Sequence, residues 1–415
     1  MSDRTIQNLF LANKPFLDSL TKPLKAFKAI EKITTCRTST LGTSVYVCPE
    51  DNTVYEQYHS CRHRHCFLCA EKKRQEWLEH QKAKLLDCPH FHVVFTIPHE
   101  YLSLWRFNEE LLSRYLFRAS RETLMTLLSD KKYGGICPGI MMALHTWGRK
   151  LDLHPHMHCL VSGGGLNTQG DWRSLGEYLV PGGVIRRVFR GQFQALLKQG
   201  LENGEIVLPD DLSRASFWRL YRSTYRKEWC VRIEERYEHG KGVVCYLARY
   251  CKGGPLHPKQ IVSANDREIQ MSYLDHRDKR VKAQGLKRDE FFKRYLMHIP
   301  ADGLHTVRHY GLYAAASKAR HKRSAAVVGT LKGCDPGYGE RLRAMVVCCR
   351  QCGSPMPLSY QRWRAWKGIS INKESLEDRA SGNVQQVDES DHANVLCEKE
   401  RPPPIRGELF FGLNA

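Results

Sequence analysis

The sequence predicts an α+β protein built around a mainly antiparallel sheet. Two observations carry this prediction. Short β-branched and aromatic runs such as FHVVFTIP, at 91–98, are typical of buried strands, and segments such as 108–128 place apolar residues at helical spacing. Strands and helices do not alternate regularly, which argues against a parallel sheet of βαβ units. A cysteine-rich segment precedes this region, so we expect a separate small domain before it.

The elements follow from local patterns along the chain. Helical patterns cover 70–86, 108–128, 184–199, 216–229 and 242–252, and strand patterns cover 91–98, 156–162, 261–265 and 268–274. The strand at 156–162 runs into three glycines, which predict a turn at 163–165.

Charge is the most unusual property of the composition. The 415 residues include 64 Lys and Arg but 44 Asp and Glu, which gives a formal net charge of +20. Such an excess predicts a polyanionic partner, most commonly nucleic acid. The segment 373–400 instead carries a net charge of −5 and few core-forming residues, so we expect a disordered acidic tail over 373–415.

The cysteines indicate a reducing compartment. The chain has 16 of them, several at CxxC-type spacing, which is more typical of metal binding than of a secreted disulfide framework. The N-terminus lacks the features of a secretory signal, and the apolar runs are too short to span a membrane. We therefore expect a cytoplasmic protein with no membrane partner.

Histidines at alternate positions suggest a metal site on a strand. In HPHMHCL, His156 and His158 are two residues apart and therefore project from the same face of a strand. Two neutral imidazoles side by side can share an ion such as Mn²⁺, and added oxygen donors would suit Mg²⁺. The alternative is a pair of packed or surface histidines. A third ligand is needed, and His92, His145 and His154 are all candidates.

A pair of tyrosines suggests a nucleophile. Tyr246 and Tyr250 in YLARY are four residues apart, hence neighbours on one face of a predicted helix. Beside a divalent cation that polarises a phosphate, a tyrosine can attack phosphorus and form a covalent phosphotyrosine. Packing is the alternative, because Tyr221 and Tyr225 have the same spacing without any other distinguishing feature.

The cysteine-rich segment 48–69 gives the strongest indication of a metal. Cys66 and Cys69 form a CxxC knuckle, and Cys48 and Cys61 lie close enough upstream to complete a tetrahedral four-thiolate zinc site. His63 or His65 could replace one thiolate. A closed site with four protein ligands is structural rather than catalytic.

Two weaker patterns remain. Cys349 and Cys352 form half of a second knuckle for which the sequence shows no clear partner. In the helix predicted over 184–199, Arg186, Arg187 and Arg190 lie largely outside the apolar face, and we expect them to contact phosphates of nucleic acid. A solvated basic face is the alternative.

Together these motifs resemble the rolling-circle two-tyrosine transposases of the insertion-sequence-91 family. SCRHRHCFLC and FHVVFTIP are similar to the family's N-terminal zinc-binding domain, LHTWGRKLDLHPHMHCLVSGGGL to its histidine strand, VVCYLARYCKGGP to its tyrosine helix and VRHYGLYA to its end segment. The segments follow the family's order over about three quarters of the chain, which chance matches to short motifs would not produce.

The resemblance implies a fold and a mechanism. The fold is an HUH endonuclease-like antiparallel sheet flanked by helices, in which His156 and His158 hold Mg²⁺ or Mn²⁺, preceded by a domain with structural Zn²⁺. Tyr246 and Tyr250 would cleave single-stranded DNA at the ends of an insertion sequence and join its 5′ ends as phosphotyrosines. The sequence shows no helicase motif, so we expect the host, through a helicase or the replication machinery, or DNA supercoiling to open the duplex.

One departure from the family concerns zinc. The family commonly has a further CxxC where this chain reads Cys48-Pro49-Glu50-Asp51, so a thiolate is missing. Either Cys61 or Asp51 would fill that place, which leaves the fourth zinc ligand open.

We therefore expect a zinc-binding domain with a basic helix at 1–100, a catalytic domain at 101–330, a basic segment with the half knuckle at 331–372 and the tail at 373–415. Two other functions fit part of the sequence. A plasmid-type rolling-circle replication initiator would share the chemistry, although the zinc domain argues against it. A non-catalytic zinc-dependent DNA-binding regulator would explain the charge and the cysteines but would leave the histidine strand without a role.

Overall fold

A computed structural model of the chain describes residues 5–238, 254–275, 277–331 and 346–363, with the backbone alone at 70–73, 75, 235, 362 and 363. These residues form a mixed α/β structure with antiparallel sheets, as predicted. The expected acidic tail and the predicted helix 242–252, which carries Tyr246 and Tyr250, lie outside the described residues.

The helices in the described part of the chain are α1 Thr5–Ala12, α2 Lys14–Ser19, α3 Leu24–Thr34, α4 Phe67–Lys82, α5 Leu102–Phe107, α6 Glu109–Ser129, α7 Gly182–Glu202, α8 Arg214–Arg226, α9 Arg288–Met297 and α10 Lys318–Val328. The strands are β1 Gly42–Val47, β2 Val54–Tyr58, β3 His90–Thr96, β4 Cys137–Trp147, β5 Leu153–Leu166, β6 Trp172–Ser174, β7 Val231–Tyr237, β8 Ile261–Ala264, β9 Glu268–Asp275, β10 Arg280–Lys287, β11 Val307–Gly311, β12 Val347–Cys348, β13 Pro355–Met356 and β14 Leu358–Trp363. The helical patterns at 70–86, 108–128, 184–199 and 216–229 are thus confirmed as α4, α6, α7 and α8.

The chain divides into two compact units. Among the described residues, the first unit consists of 5–73, 256–275, 277–292 and 346–363, and the second of 74–238, 254–255 and 293–331. Each unit has its own sheets. None of the helices in the described ranges is long and apolar enough to cross a bilayer.

The second unit contains a six-stranded antiparallel sheet. Its strands follow the order β11-β4-β5-β3-β7, and β6 pairs with one end of β5. The long strand β5 therefore lies in the interior of the sheet, where both of its edges are hydrogen-bonded. An interior strand is held more rigidly than an edge strand, which suits it to carry side chains that must keep a fixed geometry.

Strand alternation gives this sheet two different faces. On one face, Met157 belongs to a large core with Leu116 of α6 and Phe193 of α7, all fully buried. Burial of each such side chain stabilises the fold by about 1.5–3 kcal/mol. On the other face, Leu160 packs with Leu85, which follows α4. Both faces are thus covered over part of their area, and the histidines of β5 share the face that carries Leu160.

The turn predicted at 163–165 is wrong, because β5 continues through these glycines to Leu166. They are needed for close approach of neighbouring strands. A Cβ on Gly165 would lie 2.3 Å from the carbonyl oxygen of Cys137, and one on Gly164 would lie 2.5 Å from the ring of Trp172. Glycine within a strand permits this approach without ending the strand.

In the first unit, one small sheet has the order β14-β1-β2 and another has the order β10-β9-β8, while β12 pairs with β13. The strand patterns at 261–265 and 268–274 are confirmed as β8 and β9. The buried side chain of Gln7 in α1 donates to the carbonyl oxygens of Ile33 and Cys36, at 3.2 and 2.7 Å. This contact satisfies carbonyls at the end of α3 and fixes the chain where Cys36 follows the helix.

We predict opposite effects of alanine at two glycines of the second unit. Gly165→Ala should destabilise the protein by about 1–3 kcal/mol, because the new Cβ overlaps the backbone of β4. Gly191→Ala, within α7 and with no neighbour inside 4 Å of its Cβ position, should stabilise it by about 0.5–1 kcal/mol. Thermal unfolding followed by fluorescence measures both shifts. A melting temperature of Gly165→Ala at or above that of the wild type would contradict the prediction.

Candidate functional site

The register of β4 against β5 brings three imidazoles together. His145 of β4 is paired with His156 of β5, and His158 is the next residue on the same face. One ring nitrogen of each lies within 4.8 Å of the others. His145 and His158 are buried, whereas His156 is partly exposed, so the cluster is reachable from solvent at His156. This is the histidine cluster.

The spacing within the histidine cluster fits one divalent ion. The Nε2 atoms of His156 and His158 are 3.0 Å apart. Two ligand atoms at about 2.1 Å from one ion and at right angles to each other are separated by about 3.0 Å, which is the octahedral arrangement that Mg²⁺ demands. Nitrogen ligands add affinity for Mn²⁺ and other transition ions.

Hydrogen bonds behind the two β5 imidazoles hold them in orientation. Nδ1 of His156 lies 2.6 Å from the backbone carbonyl oxygen of His154, and Nδ1 of His158 lies 2.9 Å from Nε2 of His92. Each contact occupies Nδ1, which leaves Nε2 as the nitrogen available to bind an ion. Outer contacts of this kind fix the ring and raise its basicity as a ligand.

The three candidates for the third ligand therefore have different positions. His145 belongs to the cluster, His92 supports His158 from behind, and His154 contributes its backbone carbonyl to His156. The sequence could not rank them, because the choice depends on which neighbouring strand pairs with β5 and in which register.

Burial keeps the imidazoles neutral. It lowers the pKa of His92 and of His156 to about 4 and places the pKa of His158 well below its usual value. Neighbouring imidazoles lower the pKa of His158 further, because a second positive charge would be repelled. The neutral ring is the form that binds a metal, so the site is ready to bind an ion at neutral pH.

In the first unit, the structure groups the cysteines differently from the sequence prediction. Cys61, Cys66 and Cys69 do come together, but the fourth sulfur of this cluster is Cys36 rather than Cys48. The Sγ of Cys69 lies 3.3 Å from that of Cys36 and 3.6 Å from that of Cys61. We call this group the four-cysteine cluster.

The β1–β2 hairpin explains the difference. Cys36 precedes β1 and Cys61 follows β2, so both lie at the open end of the hairpin, whereas Cys48 lies in the turn between the strands. A six-residue strand spans about 20 Å, so the two ends of β1 cannot serve one ion. Cys48 instead forms a second cluster with Asp51, Cys349 and Cys352, which gives the half knuckle its partner.

The backbone also contributes to the four-cysteine cluster. The amide of Cys61 lies 3.5 Å from Sγ of Cys36, and the amide of His63 lies 3.4 Å from Sγ of Cys61. Side-chain contacts with Cys36, Cys61 and Cys66 lower the pKa of Cys69, which favours its thiolate. All four cysteines are buried, so the group has the closed tetrahedral character of a structural zinc site.

The three arginines predicted to contact nucleic acid lie on α7 in different surroundings. Arg187 is exposed. Nε of Arg186 lies 2.7 Å from Glu228, and Arg190 lies over the ring of Tyr225 at 4.7 Å. The exposed guanidinium of Arg187 is therefore best placed for a phosphate, whereas the other two also hold α8 and the segment after it.

The chain is similar to known transposases in both units. Residues 139–321 match the family described as "Putative transposase", and residues 10–97 match the family described as "Transposase zinc-binding domain". The "Putative transposase y4qJ" of Sinorhizobium fredii is 33% identical over 291 residues, which cover 68% of this chain and 73% of that protein. The "Transposase for insertion sequence element IS801" of Pseudomonas savastanoi pv. phaseolicola is 30% identical over 324 residues, which cover 75% of this chain and 76% of that protein.

We predict that Mn²⁺ binding ranks the histidines. His145→Ala should weaken binding as strongly as His156→Ala, because each would remove one of the three candidate ligands. His92→Ala should weaken it by about 10- to 100-fold, because His158 loses the partner of its Nδ1. His154→Ala is the matched control and should bind almost normally, because the carbonyl that supports His156 remains. Isothermal titration calorimetry measures these affinities, and equal losses for His154→Ala and His145→Ala would contradict the assignment.

Proposed function

The chain belongs to the insertion-sequence-91 family of transposases with an N-terminal zinc-binding domain, and from that premise we propose that it cleaves and rejoins single-stranded DNA at the ends of its element by rolling-circle transposition. The histidine cluster is the observation that carries the proposal. Three imidazoles on two paired strands, two of them with supporting contacts behind Nδ1, would supply the ligands for one divalent ion.

The proposed fold of the second unit is of the HUH endonuclease type. The arrangement of the described strands supports it: His156 and His158 lie on an interior strand of an antiparallel sheet, and helices α6 and α7 cover the opposite face. The expected ranges, 1–100 for the zinc-binding domain and 101–330 for the catalytic domain, stay proposals, and within 101–330 the residues 256–275 and 277–292 belong to the first compact unit.

His145, His156 and His158 would hold the divalent ion beside the scissile phosphate. When bound, Mg²⁺ or Mn²⁺ orients the phosphate and neutralises charge on its non-bridging oxygens. The chain's own contribution is to fix the ligands before DNA arrives: the carbonyl of His154 and the ring of His92 keep Nε2 of His156 and His158 directed to one point. Preorganised ligands need no rearrangement during the reaction.

We assign Tyr246 and Tyr250 as the nucleophiles on the basis of their sequence pattern and the family. The phenol of one tyrosine would give up its proton as its oxygen attacks phosphorus, the bond from phosphorus to the 3′ oxygen would break, and the released 3′ oxygen would take up a proton to become a hydroxyl. The phosphotyrosine keeps the energy of the broken bond, so a 3′ hydroxyl can reverse the reaction without ATP. A second tyrosine allows the enzyme to hold two 5′ ends, which suits strand transfer better than simple nicking.

The cysteines would stabilise the zinc-binding domain, and the arginines would bind DNA. The four-cysteine cluster, with Cys61, Cys66 and Cys69 as predicted and Cys36 as the fourth ligand, would hold a structural Zn²⁺. Arg186, Arg187 and Arg190 would contact backbone phosphates, which makes binding depend strongly on salt. We propose that a host helicase or the replication machinery supplies the single strand.

We predict a covalent adduct between the protein and single-stranded DNA from an element end in the presence of Mn²⁺. The double variant Tyr246→Phe, Tyr250→Phe should form none, and His156→Ala should reduce its rate of formation by about 10²-fold or more, because the phosphate loses its electrostatic support. Electrophoresis of labelled DNA under denaturing conditions measures the adduct, and peptide mass spectrometry locates it.

The matched control is Tyr221→Phe, Tyr225→Phe, which has the same spacing on α8. Tyr221 packs against Phe217 and Trp218, so its loss of a hydroxyl should leave the adduct unchanged. A protein that binds the DNA but never forms an adduct would instead be a regulator. An adduct formed with plasmid origin DNA but not with element ends would identify a replication initiator.

A further inference from the structure

Two hairpin turns that are distant in sequence have the same backbone pattern. In the turn at 48–53, the amide of Cys48 donates to the carbonyl of Thr53 at 2.9 Å, and the amide of Asn52 donates to the carbonyl of Cys48 at 3.1 Å. In the turn at 349–354, Cys349 donates to Ser354 at 2.9 Å and Gly353 donates to Cys349 at 2.9 Å. The two turns therefore match residue by residue.

The backbone conformation supports the same match. Asn52 and Gly353, the fifth residues of the two turns, both have positive φ, at 57° and 76°. Asparagine and glycine are the residues that tolerate this conformation best. Each turn also joins two antiparallel strands, β1 to β2 and β12 to β13. In both cases the first and fourth residues of the turn carry the potential ligands, with the spacing of a zinc knuckle.

The side chains of the two turns converge. Sγ of Cys48 lies 3.4 Å from Sγ of Cys352, and Sγ of Cys349 lies 3.1 Å from a carboxylate oxygen of Asp51. One atom from each of the four residues lies within 4.8 Å of the others. Zinc with ligands at about 2.3 Å for sulfur and 2.1 Å for oxygen separates tetrahedral ligand atoms by about 3.6–3.8 Å, so the two shortest of these contacts would lengthen by about 0.5 Å or less.

We propose that Cys48, Asp51, Cys349 and Cys352 bind a second structural Zn²⁺, with Asp51 in the position of a fourth thiolate. Cys48 and Cys349 are buried, whereas Asp51 and Cys352 are exposed. Buried thiolates are costly unless a metal neutralises them. Three thiolates with one carboxylate suit Zn²⁺ rather than Mg²⁺ or Mn²⁺, which distinguishes this site from the histidine cluster.

The site makes the C-terminal segment part of the zinc-binding domain. Strand β14 pairs with β1 over five register positions, and Cys48, Tyr55, Cys349 and Met356 form one small core. The family match to the zinc-binding domain covers residues 10–97 and therefore omits this half. A metal that joins the two turns would stabilise the docking, because binding free energy of this kind is folding free energy.

Zinc counting by native mass spectrometry on the full-length protein tests the proposal independently of any DNA chemistry. The wild type should bind two Zn²⁺. Cys349→Ser, Cys352→Ser should bind one, and Cys36→Ser should lose the other. Cys230→Ser, at an exposed cysteine outside both clusters, is the control and should keep two. A wild type with one Zn²⁺ that Cys36→Ser removes, or two Zn²⁺ in Cys349→Ser, Cys352→Ser, would overturn the proposal.

Thiol alkylation of the zinc-loaded wild type avoids any folding defect of the variants. Cys352 and Cys230 are both exposed, so without a metal both should react readily. The proposal predicts that zinc slows alkylation of Cys352 at least tenfold relative to Cys230, and that a chelator exposes Cys352 together with Cys48 and Cys349. Equal rates for Cys352 and Cys230 in the zinc-loaded protein would overturn it.

Substitution of the carboxylate tests the role of Asp51. Asp51→Cys should keep two Zn²⁺ and release the second more slowly to a chelator, because a fourth thiolate binds zinc more strongly. Asp51→Ala should release the second at least tenfold faster than the wild type. Release at the wild-type rate from Asp51→Ala would remove Asp51 from the ligand set and overturn the proposed site.

Discussion

The antiparallel pairing of β4 with β5 is the interaction on which the candidate active site depends. Its register places His145 opposite His156, and the alternation of β5 places His158 on the same face. A shift of one residue would turn the imidazoles of β5 into the apolar core and Met157 out of it. The large core on the opposite face therefore fixes the histidine cluster, because the same strand cannot slip without exposing that core.

A second constraint comes from the β1–β2 hairpin of the first unit. Cys36 and Cys61 lie at the open end of the hairpin, whereas Cys48 and Asp51 lie in its turn. The length of the hairpin therefore separates two groups of potential zinc ligands. Strand β14 pairs along the same hairpin and brings Cys349 and Cys352 to the turn. The hairpin thus contributes residues to two clusters. The cluster at its turn also needs Cys349 and Cys352, which are distant in sequence.

The histidine cluster and the four-cysteine cluster differ in ligand type and in burial. The histidine cluster combines nitrogen donors with one partly exposed member, His156. The four-cysteine cluster is fully buried and closed, so it can stabilise structure but offers no open position. This difference supports a catalytic role for the first and a structural role for the second.

The sequence by itself determined the local elements and the ligand types. Periodicity predicted α6, α7 and β3, and the alternation of His156 and His158 predicted a shared face, because these patterns depend on near neighbours in the chain. Tertiary structure alone decided that His145 joins them, that Cys36 replaces Cys48, and that Cys349 and Cys352 have partners. Tertiary structure also decided that β5 continues through its glycines. The glycines are there because neighbouring strands leave no space for a Cβ, which the local sequence does not reveal. Those outcomes depend on strand register and on the pairing of strands that are distant in sequence. Both bring together residues that no local pattern relates.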